Sequence, residues 1–336
     1  MTERGGARRG TDLVVVGDCN PDVLVLGDDV TPSFGQQEKL VERISLVIGG
    51  SAAITAVAAA RLGLSVELVA AVGADPAGDF MLGQLAQEGV GTAAVAVRTG
   101  VPTGMTVALS HGRDRAILTA LGAMASLTAQ DVPAALLARA RHVHISSYFL
   151  LERSLGPGLA AMLAAARAAG ATTSLDTNWD PAGKWGDGRL RASLAQTDVL
   201  LPNEKEAVRI AGEPTLQAAA GALTAAGPRL VVKLGERGVL CADDQVWHRV
   251  ELPRVTPVDT TGAGDCFNAG LIAGLLRGLA LPDAATLGCA VGALSTRAAG
   301  GTASCPDLAS ALALAQTATV RRVSAGHWPR DFGPSP

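Results

Sequence analysis

Short apolar runs and amphipathic stretches alternate along most of this chain. Residues 12–17 hold the short apolar run Leu13-Val14-Val15-Val16 closed by Gly17, the pattern of a strand buried on both faces. A helix over 51–62, a strand over 66–72 and a helix over 76–88 follow. Beyond residue 140 the alternation becomes regular. Strands are predicted at 142–146, 172–176, 199–201 and 229–234, and helices at 158–169, 188–195, 204–210 and 216–226. Such repetition predicts an α/β fold with a mainly parallel central sheet and helices on both faces. Two regions break the rhythm. Residues 22–26 and 39–46 read as extended segments about a loop at 32–35, and 104–110 with 115–120 read as a hairpin turning at 111–114. A second hairpin, 238–242 with 246–251, turns at 243–245 near the sheet edge, and 261–319 is almost entirely helical. Within it 271–281 is apolar nearly all round, as in a helix buried between other elements.

With 336 residues and 48% apolar content, the chain can bury an extensive core. A formal charge of -3 gives no electrostatic case for nucleic acid or an anionic membrane as partner. The five cysteines are odd in number and lack any Cys-x-x-Cys pair, which points to a reducing, cytoplasmic setting. The apolar run at 13–16 is too short for a signal peptide, and no suitably flanked run is long enough to span a membrane. Residues 1–10 and 321–336 read as weakly ordered tails.

Candidate chemistry concentrates in the string from Val258 to Gly270. Gly262, Ala263 and Gly264 leave a run of backbone N–H groups open to an anion, and a helix begins directly after them. Asp265 lies in its first turn, where a carboxylate can take a proton from a nucleophile attacking that anion. Glycines and a capping aspartate are also ordinary features of a helix start. The full Asp-Thr-Thr-Gly-Ala-Gly-Asp string is more specific. It resembles the signature of the ribokinase family of sugar and nucleoside kinases, also called the phosphofructokinase B family.

That resemblance extends over several motifs in the expected order and implies a role for each. It makes Asp265 the catalytic base, with the amides from Gly262 to Asp265 stabilising the phosphoryl group. Asn20-Pro21-Asp22 follows the first strand and reads by itself as a turn; by resemblance Asp22, and more weakly Asn20, accept substrate hydroxyls. Gly49-Gly50 opens a helix and resembles the glycine pair that lies against the sugar. The chain departs from the family at Ile54, where many members carry a sugar-binding asparagine, and at Asp180, where an arginine is frequent. The second departure argues against a phosphorylated or carboxylated substrate, unless Arg115 or Lys184 supplies the cation. Asn203 and Glu206 explain themselves as a helix cap, and by resemblance organise magnesium and the nucleotide phosphates, Glu206 through water. Lys233, Gly235 and Gly238 resemble the lining of the nucleotide site. Asp259 and Thr261, with main chain near 300–301, resemble a monovalent-cation site.

The expectation is therefore a ribokinase-like three-layer sandwich. Residues 11–20, 47–98 and 121–320 form the core, and 21–46 with 99–120 form an inserted β lid over the sugar site and a surface for a homodimer. The implied activity is ATP- and magnesium-dependent phosphorylation of a hydroxymethyl group on a small sugar, fructokinase-like or keto-deoxygluconate kinase-like, with potassium as a further cofactor. A nucleoside (adenosine-like) kinase, or a non-catalytic sugar or nucleotide sensor on the same scaffold, is the alternative. The absence of a Gly-x-Gly-x-x-Gly fingerprint disfavours a dinucleotide-dependent oxidoreductase. His142 and His144 share a strand face without a third ligand at zinc spacing, and Cys266 reads as a packed thiol.

Overall fold

In β1 (Thr11–Val16) the side chains of Leu13 and Val15 enter one apolar cluster and those of Val14 and Val16 another. A strand buried on both faces needs apolar residues at every position, which is why its sequence does not alternate. The computed structural model describes residues 10–111, 114–243 and 246–323. Seven parallel strands run in the order β11 (Arg229–Lys233), β10 (Val199–Leu200), β9 (Thr172–Leu175), β8 (Ala140–Ile145), β1, β4 (Val66–Gly73) and β5 (Gly91–Arg98). Beyond β11 the sheet continues antiparallel through β12 (Val239–Asp243), β13 (Val246–Glu251) and β14 (Thr319–Val323).

Helices cover both faces. One cluster holds α1 (Ser51–Arg61), α2 (Pro76–Gln87), α9 (Ala263–Leu276), α10 (Leu281–Ser295) and α11 (Leu308–Ala315). The other holds α3 (Ala134–Arg139), α4 (Tyr148–Leu151), α5 (Gly156–Ala168), α6 (Gly188–Leu194), α7 (Glu204–Ala211) and α8 (Leu216–Ala225). The two irregular regions of the sequence form a separate four-stranded sheet, in the order β3 (Arg43–Gly49), β2 (Asn20–Leu26), β6 (Met105–His111) and β7 (Asp114–Ala120). Its register puts Asp22 beside Thr106 and Thr106 beside Thr119, on the same face as Leu24, Ile117 and Arg115. Ile44, Leu46 and Leu118 lie on the opposite, exposed face.

Several expectations change. Asn20, Pro21 and Asp22 are not a turn: they begin β2, all three paired with β3 and Asp22 also with β6. The strand β5 was not predicted, and residues 321–323, expected in the tail, belong to β14. Parts of both hairpin turns, at 112–113 and 244–245, lie outside the described residues, as do 1–9 and 324–336 of the expected tails.

Candidate active site

Helix α9 opens on Gly262, in the left-handed region at φ 71°, with no side chain capping that end. A Cβ at 262 would stand 2.7 Å from Cα of Gly301 and 3.0 Å from Cγ2 of Ile54, so both the conformation and the space require glycine. The Ala263 N–H donates to the Thr260 carbonyl at 3.3 Å, and the amides of Gly264 and Asp265 that follow it are the ones that can meet an external acceptor. Asp265 lies in that turn with its surface partly open. Burial, reinforced by the charge of Asp176, pushes its carboxyl up to about 8 against the pull of Lys233, the charge of Asp18 adding to the rise and the Ser51 hydroxyl opposing it.

Lys233 is the centre of charge beneath this turn. Its Nζ donates to Asp176 Oδ2 at 2.6 Å and approaches Asn268 Oδ1 at 3.4 Å, while Asn268 Nδ2 donates to the same aspartate oxygen at 2.6 Å. Burial opposes ionisation of Asp176, but Lys233 and Asn268 hold its carboxyl below the usual range. Burial would likewise lower Lys233, and the carboxylates of Asp176 and Glu206 raise it instead. Lys233, expected in the lining of the nucleotide site, is thus paired with a carboxylate, its ammonium 3.6 Å from where a Cβ of Gly264 would be.

Glu206 and Asn203 form a reciprocal cap at the start of α7. Asn203 donates its N–H to Oε2 (2.8 Å) and its amide Nδ2 to Oε1 (2.6 Å), and accepts the Glu206 N–H at 2.9 Å. Burial and then the Asp176 charge push Glu206 up to about 7.

At the other end, Asp22 is buried beside Asn20, whose Nδ2 donates to Asp22 Oδ1 at 3.0 Å and to Thr106 Oγ1 at 3.1 Å. Burial and the neighbouring Asp18 push the Asp22 carboxyl up to about 7, against Asn20 and Arg115. Gly49 faces this carboxylate so closely that any Cβ would collide with it. Gly50, at φ 82°, turns the chain into α1, whose first amides, of Ser51 and Ala52, donate to Asp18 at 2.9 Å. Ser147 and Asn178 also adopt left-handed backbone at the ends of neighbouring strands, and Asn178 Nδ2 donates to the hydroxyls of Ser51 (3.0 Å) and Ser147 (3.2 Å). Strained backbone of this kind collects at functional sites.

Two departures from the motif pattern acquire structural reasons. Ile54 is buried and fills the space between the backbones of Gly262 and Gly301. Asp180 is buried and accepts the N–H groups of Ala182, Lys184 and Trp185 at 2.6–2.8 Å, so its charge organises a loop instead of repelling an anion. Gly238 is needed where the chain meets the carbonyl of Val250, a packing reason, whereas Gly235 faces open space. Asp259 Oδ1 accepts from the Thr261 N–H (2.9 Å) and hydroxyl (2.7 Å), and Oδ2 from the Gly300 N–H (2.8 Å). The guanidinium of Arg115 reaches Thr261 Oγ1 at 2.7 Å and lies 3.7 Å from Asp259. Asp18, Ser51, Thr106 and Asn268 belong to the site and carry no motif signal strong enough to find them. His142 and His144 are buried and both hydrogen-bond to the Ser174 hydroxyl at 2.7 Å. Cys266 is buried against Cys305, and that contact together with burial raises its thiol, as in a packed, unreactive position.

The sequence matches the profile of the pfkB carbohydrate kinases over residues 10–308. It is 34% identical to a fructokinase of Klebsiella pneumoniae over 306 residues, 85% of this chain and 97% of that enzyme. It is 30% identical to a 2-dehydro-3-deoxygluconokinase of Bacillus subtilis over 305 residues, 83% of this chain and 90% of the other. The fold superposes on Arabidopsis thaliana ribokinase complexed with ribose and ATP with a TM-score of 0.77 at 24% identity, covering 91% of this chain and 99% of that one. Among the described residues no helix is long and apolar enough to cross a membrane.

Proposed function

This chain belongs to the pfkB family of carbohydrate kinases and is a sugar kinase; on that footing we propose that it transfers the γ-phosphoryl group of ATP to a hydroxymethyl group of a neutral keto sugar of the fructose class. The observation that carries the proposal is the pairing of an uncapped α9 start with Asp265 in its first turn. Asp265 takes the hydroxyl proton as the substrate oxygen bonds to phosphorus and the bond to ADP breaks. The amides from Gly262 to Asp265 receive the equatorial charge of the group in flight. With a carboxyl pushed up to about 8, Asp265 is a better proton acceptor than an ordinary aspartate.

Asp22, Asn20 and Thr106 hold the sugar on the inner face of the four-stranded sheet, acting as a lid that excludes water. They offer acceptors and neutral donors, and Arg115 is already engaged by Thr261 and Asp259, so an uncharged polyol suits this face. Glu206 and Asn203 would hold a magnesium ion through its water shell, since an ion that keeps most of its waters and binds the nucleotide phosphates needs only one carboxylate and an amide from the protein. Magnesium bound with the nucleotide offsets phosphate charge during transfer. Gly235 and Gly264 leave room for the nucleotide chain. A potassium ion at Asp259 and Thr261 does not fit the donor set, because N–H groups, a hydroxyl and a guanidinium already face those oxygens. The exposed outer face at Ile44, Leu46 and Leu118 supports a homodimer through the lid.

ADP release measured with fructose, 2-dehydro-3-deoxygluconate, ribose and adenosine tests the reading. Fructose is expected to have a kcat/KM about tenfold or more above the others, about 1.4 kcal/mol of discrimination. A higher value for the keto acid would overturn the neutral-substrate assignment. Gly49→Ala should push Asp22 off its position and raise the sugar KM about tenfold or more while leaving the ATP KM within about twofold. Equal changes in both would show that Gly49 serves the whole fold and not the sugar end.

A further inference from the structure

Arg115 stands on the edge strand of the lid sheet, on the face that carries Asp22, yet its guanidinium bonds to a residue of the turn that opens α9. A second connection between lid and turn runs through Gly300, in the loop after α10. Leu24 and Val47 approach Gly300, at 3.4 Å and 3.6 Å from where its Cβ would be, and the Gly300 N–H holds the other oxygen of Asp259. Asp259 thus lies between the guanidinium of Arg115, 3.7 Å from Oδ1, and the N–H of Gly300, which packs beneath the lid strands. Its carboxylate and Thr261 Oγ1 are neighbours of Gly262, on whose left-handed turn the direction of the anion-binding amides depends.

Resting on the kinase reading above, we propose that Arg115 is a positioning residue for phosphoryl transfer. It ties the sugar-binding sheet to the phosphate-binding turn, and it brings from the protein itself the positive charge that a bound monovalent cation would otherwise supply at Asp259. The consequence is a link between the two substrates. Sugar held on Asp22 keeps the sheet in place, the sheet keeps Arg115 on Thr261, and Thr261 and Asp259 keep the turn in the form that accepts the phosphoryl group. The reaction then needs no added potassium.

The test compares the full-length wild type with Arg115→Ala and Arg115→Lys, using fructose and ATP in about 0.1 M potassium chloride or the same ionic strength of tetramethylammonium chloride. Wild-type kcat should agree within about twofold in the two salts, whereas Arg115→Ala should lose about tenfold or more in kcat with the ATP KM changed less than about threefold. Arg115→Lys should recover part of the loss, and ethylguanidinium added to Arg115→Ala should restore kcat without acting on the wild type. Hydrogen exchange without substrates gives an independent reading: amides of 259–265 should exchange about tenfold faster in Arg115→Ala. Unchanged exchange with kcat within about twofold of wild type overturns the proposal. So does a wild type stimulated about fivefold or more by potassium. A rise in sugar KM alone, with kcat and exchange intact, would make Arg115 a sugar contact and also overturn it. If no sugar is phosphorylated, the kinase reading fails by itself, and the exchange measurement still decides whether Arg115 holds the turn.

Discussion

Replacing Asp265 by asparagine should lower kcat/KM by about 10²–10⁴-fold, the usual contribution of a positioned general base, while ATP still binds. In the wild type, kcat/KM should rise with pH and level off above about 8, where the carboxyl loses its proton. The variant should lack that limb. Stability should move the other way. The folded protein keeps a proton on Asp265 up to about 8, whereas the unfolded chain releases it near the ordinary value of 3.8. Between these values the native state binds more protons, so this group's contribution is full below the lower value and is lost as pH rises through the upper one. Asp265→Asn should therefore lose less Tm than the wild type between about pH 5 and pH 9. Near-normal turnover in the variant would remove the base from the mechanism, and parallel Tm profiles would deny the raised carboxyl.

Removing the central cation should cost more in stability than any other single change in the site. Lys233→Met leaves Asp176, Glu206 and Asp265 without the charge that all three sense. The Lys233–Asp176 pair has only 14% and 7% side-chain exposure, so the stranded aspartate cannot recover its hydration. Breaking such a buried pair from one side typically costs about 3–5 kcal/mol. The double variant Lys233→Met with Asp176→Asn should regain much of this loss, because neither charge is then left alone. Urea midpoints of the single and double variants measure the difference. If the double variant is no more stable than Lys233→Met, the cost lies in packing of the lysine stem and not in charge. In the single variant the acid limb of kcat/KM should also move to higher pH, since Lys233 is what lowers the carboxyl of Asp265.

What could be read from the sequence follows from where each element finds its partners. β1 and β4 are buried on both faces, so their apolar runs announce them. β14 has an exposed Thr-Val-Arg-Arg stretch, and only pairing with β13 makes it a strand. β5 is alanine-rich and mostly half-buried, with little periodic contrast to mark it. The same division holds in the site. Gly262, Gly264 and Asp265 form one contiguous string and are legible together. Asp176 gains its meaning from Lys233, 57 residues away, and from Asn268, 92 away. Asp180 is the opposite case: its partners are two to five residues distant, but three backbone N–H groups converging on a carboxylate leave no trace in residue identity.

The packing of Ile54 between Gly262 and Gly301 limits how this enzyme could be re-engineered. Installing an asparagine there to gain a ribose contact would set an amide against two glycine backbones in a nearly dry gap, where an unmatched polar group costs about 1–3 kcal/mol. The floor of the phosphate turn would be disturbed by the same change. Sugar preference and phosphate geometry share one side chain, so a new specificity would have to arrive with compensating changes at 262 and 301, and a library that varies position 54 alone would sample mostly damaged turns.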